Sequence, residues 1–131
     1  MNRNVLDKRL RELGLYSSFY LRKEMKPLAQ LLAEGEQLNC ILTGVHEANR
    51  KMLAVTDRRL ILIFTGALAA GEAKVIRRDG VESWEFEKKL LFSRLRLTLK
   101  DGDSYLLTNT QGSLKSLFEW AMAQPLPAET D

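Results

Sequence analysis

Cysteine and histidine are scarce in this chain, and each scarcity closes off a class of function. The single cysteine, Cys40, excludes an internal disulfide framework and makes a reducing compartment the default. With one cysteine and one histidine, His46, no zinc-ligand spacing is available. Neither common phosphate-binding glycine loop occurs. No apolar run approaches the roughly 18 residues of a spanning helix, and no signal-peptide core follows the charged N-terminus. The expected location is therefore cytoplasmic, with no transmembrane segment. Charge of one sign is lacking too. The 20 Lys and Arg stand against 17 Asp and Glu, and a net +3 is too small an excess to argue for nucleic acid.

A catalytic set is hard to assemble from what remains. His46 reads as an exposed turn histidine beside Glu47 and Asn49, with no nucleophile near it in sequence. Cys40 alternates with Leu38 and Leu42 and reads as a buried structural thiol. Asp57, Asp79, Asp101 and Asp103 occupy turn positions, where aspartate bonds its own backbone. The expectation is a protein without enzymatic activity, cofactor or metal.

What is present is a fold. At 131 residues and 45% apolar, the chain is one domain able to bury a real core. Two apolar runs, residues 53–55 and 60–64, flank the polar break Thr56-Asp57-Arg58-Arg59, which predicts a hairpin. Residues 60–64 are apolar at every position, so this strand is expected to be covered on both faces. Helices are predicted at residues 4–14, capped by Asn4, at 17–24, and from Pro27 to Gly35. Strands follow near residues 38–42, 52–56, 60–64, 73–77, 81–87, 91–100 and 105–107. Residues 44–49 read as a polar turn, residues 66–71 as a small-residue loop, and Asp101-Gly102 as a hairpin turn. The sixth strand alternates most clearly, with Leu91, Ser93, Leu95, Leu97 and Leu99 facing inward. Leu114, Leu117, Phe118, Ala121 and Met122 form the stripe of a closing helix that Pro125 stops.

Seven short strands joined mostly by tight turns predict a mainly β fold. The expected form is a seven-stranded antiparallel barrel, with a C-terminal helix capping one end and a helical extension before it. Gly35-Glu36 before the first strand, then Leu53-Ala54-Val55-Thr56-Asp57-Arg58-Arg59-Leu60-Ile61, resembles bacterial pleckstrin-homology-like (PH-like) domains of the YokE-like group. The resemblance covers residues 28–124, leaving residues 1–27 as the helical extension and 125–131 as a loose tail. The first two helices lie outside the family pattern, and Arg77-Arg78-Asp79-Gly80 departs from its more apolar approach to the fifth strand. The resemblance implies a non-enzymatic binding module and brings no ligand residues with it.

Two surfaces are candidates for that binding. Leu15, Tyr16, Phe19 and Tyr20 add apolar and aromatic surface beyond the needs of a small barrel, suited to a protein partner or to homo-oligomerisation. This is the first reading. The second is an anionic lipid or phosphorylated headgroup held by basic residues at hairpin tips: Arg58, Arg59, Arg77, Arg78, Lys88 and Lys89, with Arg94 and Arg96 on strand six. Against it, Glu82, Glu85 and Glu87 are interleaved, and a solubilising role accounts for the same charges.

Overall fold

The structure, a computed structural model, describes residues 1–64 and 73–127. The small-residue loop expected at 66–71 and the last four residues of the expected tail lie outside them. Helix α1 (Arg3–Glu12) is capped by Asn2, whose side chain accepts the Asn4 N–H at 2.7 Å. The cap is thus two residues ahead of the expected Asn4. Leu6 and Leu10 are its buried stripe. A short α2 (Tyr16–Phe19) follows, then α3 (Met25–Leu31). Pro27 lies in the first turn of α3, where a missing N–H costs nothing.

The strands are β1 (Leu38–His46), β2 (Asn49–Thr56), β3 (Arg59–Phe64), β4 (Ala73–Arg77), β5 (Val81–Glu87), β6 (Ser93–Leu99) and β7 (Ser104–Thr110). They form one seven-stranded antiparallel sheet in the order β4-β3-β2-β1-β7-β6-β5. The expected barrel is not closed. The two edges, β4 and β5, are neighbours in sequence, yet no ladder joins them among the described residues. The 3-10 turn Arg78–Gly80 carries the chain between them, held by single bonds from Arg78 N to Arg58 O (3.2 Å) and Lys100 N to Gly80 O (2.9 Å). A turn that reverses direction within three residues joins the edges at a corner without aligning them.

β1 runs further than its alternation suggested. The polar turn expected at 44–49 shrinks to Glu47 and Ala48, both in the left-handed region (φ 50° and 65°), as a two-residue hairpin requires. His46 is consequently the last residue of β1 and not a turn histidine. In β6 the alternation holds from Ser93 to Leu99, but Leu91 lies before the strand and is exposed, not inward.

Two cores result. Leu6, Leu10, Leu15, Phe19, Met25 and Leu28 pack on one face of β1–β3, against Ile41, Met52, Ala54, Ile61 and Ile63. Leu42, Leu53, Val55, Leu60 and Leu62 line the other face with Leu95, Leu97 and Leu107. β3 is covered on both sides, as its unbroken apolar run required. Helix α4 (Lys115–Ala123) covers one end of the second core through Phe118, whose ring meets Trp84 edge-on at 5.1 Å.

The β1–β7 seam joins the two halves of the sheet with little ladder, pairing Val45 with Thr108. Gly44 lies in it, where an added Cβ would fall 2.9 Å from Thr110 Cγ2 and 3.0 Å from Thr108 O. The Gln111 side chain extends the seam by accepting the Thr43 N–H (3.0 Å) and donating to Thr43 Oγ1. Gly44→Ala is expected to cost about 1–3 kcal/mol from overpacking against backbone. It should appear as a lower urea midpoint at unchanged slope.

Candidate functional site

The residues Gly35-Glu36 and Thr56-Asp57-Arg58-Arg59 build one device. Gly35 (φ 82°) turns the chain out of α3 so that Glu36 points beneath the β2–β3 hairpin, where it is 3% exposed. One carboxylate oxygen, Oε1, accepts the Ala33 N–H (3.0 Å) and Arg59 Nη2 (2.8 Å). The other, Oε2, accepts Arg59 Nε (2.8 Å) and the Thr56 hydroxyl (2.7 Å). Thr56 Oγ1 in turn accepts the N–H groups of Arg58 (3.1 Å) and Arg59 (3.0 Å), closing the turn. Arg59 also donates to Leu31 O, the end of α3. Burial pushes the Glu36 carboxyl up, but bonds from Arg59, Thr56 and Ala33 outweigh it and hold it below the ordinary carboxylate value. Arg59 is therefore a structural cation, with Nε and Nη2 committed to Glu36 and Leu31 O.

Arg78 is committed in the same way. It donates to Asp57 O (3.1 Å), Met122 O (3.0 Å) and Gln124 O, tying the β2–β3 turn to the C-terminal end of α4. A cation there also offsets the negative end of the helix dipole. Arg77 forms a two-pronged bond with Asp79 (2.9 and 3.0 Å), and Arg58 lies 3.7 Å from Asp57. The first basic corner is thus largely occupied by the chain's own oxygens.

The predicted cations do not converge. Lys88, Lys89 and Arg94 lie at the far end of β5 from Arg77 and Arg78, and a seven-residue strand spans about 20 Å. Here Arg94 donates to Glu87 Oε2 at 2.8 Å, with Lys89 Nζ at 3.5 Å from the same oxygen. Lys88 and Arg96 make no ion pair with a described residue, and both are exposed. Between Lys89 and Arg94 the chain exposes Leu90, Leu91 and Phe92. These three were missed in the sequence, where Leu91 was read as inward. The signal available was three consecutive apolar residues after two lysines, which breaks the period of two.

Of the N-terminal candidates, Leu15 and Phe19 are core side chains, each 3% exposed against β1–β3. Tyr16 is half-buried and stacks on Tyr20 (4.6 Å), with the Arg11 guanidinium 4.0 Å from its ring centre. Tyr20 and its neighbour Leu21 remain at the surface. The helices therefore dock within their own chain.

Chemistry is sparse elsewhere. A cleft of about 730 Å³ opens near His46, Lys51, Phe64 and Tyr105. His46 Nδ1 is bonded to Leu106 O (3.1 Å), its ring lies against Tyr105 (5.3 Å), and among the described residues no hydrogen bond joins it to Ser104, which lines the same cleft. Cys40 is buried, and burial alone pushes its thiol up to about 12, so it supplies no thiolate. Among the described residues no group of three or more His, Cys, Asp or Glu is placed to hold a metal ion. No helix among them is long and apolar enough to cross a membrane.

One seven-stranded antiparallel sheet with a C-terminal helix across one end has the layout of a PH-like module. The chain belongs to the bacterial PH domain family, which it matches over residues 32–121. Among solved structures it is similar to the Vps36 N-terminal PH domain, at 22% identity over 70% of this chain and 80% of that one. The TM-score of 0.51 shows a shared fold. No curated protein matches the chain. PH-like domains are in general non-catalytic and mediate protein or lipid binding.

Glu36→Gln is expected to cost about 3 kcal/mol at neutral pH, since it leaves Arg59 without its charge partner. The depressed carboxyl fixes the sign of the pH dependence. The pair's contribution is whole above the ordinary carboxylate pKa and disappears as pH falls through the lower folded value. Urea unfolding of both proteins through the acid range should show the gap narrowing as pH falls.

Proposed function

We propose that this chain is a non-enzymatic binding module that attaches to an anionic lipid surface through the β5–β6 corner. The observation that carries this reading is the distribution of committed and available cations. Arg59 and Arg78 are spent on Glu36 and on backbone carbonyls, and Arg77 is paired with Asp79. Lys88, which has no ion pair among the described residues, and the exposed Lys89 lie together at one tip. Lysines on flexible stems suit a fluid array of headgroups, where no fixed geometry has to be matched. Within its family, the Gly35-Glu36 and Thr56–Arg59 pattern supports placing the chain in the YokE-like group.

The protein-contact reading keeps one observation in its favour, the exposed pair Tyr20 (36%) and Leu21 (80%) beside α1. Its measure is solution mass across a wide range of concentration. An oligomer dispersed by Leu21→Asp would support it.

Cosedimentation with vesicles of phosphatidylcholine and phosphatidylglycerol tests the lipid reading. Each basic residue near an anionic leaflet contributes about 1 kcal/mol, so reversing Lys88 and Lys89 to Glu is expected to lower partitioning by more than about tenfold. Arg58→Glu, beyond a Debye length from the tip, should change it by less than about twofold. Equal loss from both variants would remove the assignment to this corner.

A further inference from the structure

Leu90 is 99% exposed, Leu91 80% and Phe92 61%, and the three are consecutive at a loop tip. Single apolar residues on a surface need no explanation, whereas a contiguous run does. The stem beneath them is fixed. Glu87 and Arg94 face each other across the β5–β6 ladder and are hydrogen-bonded, and Ser93, buried at the start of β6, accepts the Lys89 N–H at 3.4 Å. The fold therefore holds three large apolar side chains out in water on a supported hairpin end.

From this geometry we propose that the tip is a bilayer wedge. Leu90, Leu91 and Phe92 enter the boundary between headgroups and acyl chains of an anionic membrane, while Lys88 and Lys89 remain at the phosphates and Arg94 stays with Glu87 in the stem. The proposal rests on the lipid reading above and adds to it the mode of attachment. Charge argues for this occupant. The stretch from Glu87 to Arg94 carries three cations, Lys88, Lys89 and Arg94, against the single carboxylate of Glu87. Shape argues for it as well. A stable protein interface buries about 800 Å² on each side, over a broad patch with an apolar centre. A tip of three apolar residues preceded by two lysines falls short of that. A bilayer is deformable and accepts a narrow apolar projection, with the lysine stems lying along its flanks and their ammonium groups reaching the phosphate level.

The test separates insertion from charge attraction. Leu90→Ser, Leu91→Ser and Phe92→Ser are combined in one variant, whose thermal unfolding should stay close to the parent's because all three side chains are mostly exposed. Binding is measured on vesicles of phosphatidylcholine with phosphatidylglycerol and on phosphatidylcholine alone. In parallel, Leu91→Cys is labelled with an environment-sensitive fluorophore; buried Cys40 does not compete for the label. The expected result is a loss of at least about tenfold in anionic-vesicle binding by the triple variant. The label should shift to the blue on anionic vesicles and remain accessible to lipid-borne quenchers in high salt. Undiminished binding by the triple variant, with no shift of the label, overturns the wedge and leaves the charge-based reading standing. No binding of the parent chain to either vesicle overturns both. A parent dimer that the triple variant dissolves, without vesicle binding, would make the tip a contact between copies and also overturns the proposal.

Discussion

A carboxylate buried under a hairpin turn has to be answered on both oxygens, and Glu36 is. Arg59 meets it with the Nε–Nη2 edge of its guanidinium, while Thr56 and the Ala33 N–H take the remaining lone pairs. The pair contributes less through net stability than through placement, since desolvation offsets much of the attraction in any buried ion pair. Three chain segments meet there: the end of α3, the approach to β1 and the β2–β3 turn. Arg59 reaches Leu31 O as well, so the helical layer cannot slide over the sheet without breaking a charged contact. The two cores on either side of β1–β3 are held in register by this connection.

The division of labour between the two basic residue types follows from their shapes. Arginine is used for internal ties: Arg59 to Glu36, Arg78 to three carbonyls, and Arg9 to Leu38 O and Asn39 Oδ1. Its planar fork satisfies several fixed acceptors at once. Lysine is left for the surface, as at Lys88 and Lys89. A net charge of +3 conceals this partition, because it counts a cation spent on a carbonyl and a cation in solvent alike.

Much of the fold was legible in the sequence because it is local. The period of two marked β6, the doubly apolar run marked β3 as covered on both faces, and the helical stripe marked α4. Features set by distant contacts were not legible. Whether seven strands close depends on how β4 and β5 meet at Arg78–Gly80, which no periodicity reports. His46 looked like a turn residue because the hairpin loop needs only Glu47 and Ala48, both in a backbone region where glycine is the usual guide. Arg59 looked like a ligand cation because its partner, Glu36, lies 23 residues away. Leu15 and Phe19 looked like surplus aromatic and aliphatic surface because the outer face of β1–β3 that they cover follows only from the three-dimensional arrangement.

The strand order also sets how this chain can reach its native state. β1 to β4 form one up-and-down run and β5 to β7 another, each assembled from neighbours in sequence. Among the described residues the β1–β7 ladder alone joins them edge to edge, and its Val45–Thr108 pairing closes a long loop. Local hairpins form in microseconds, whereas contacts far apart along the chain must first overcome the entropy of closing that loop. Pairing at Gly44 and Gln111 is therefore the contact of this sheet that costs the most loop entropy to form. Gly44 and the Gln111 side chain, which bonds Thr43, are the fittings that let the two runs come together there.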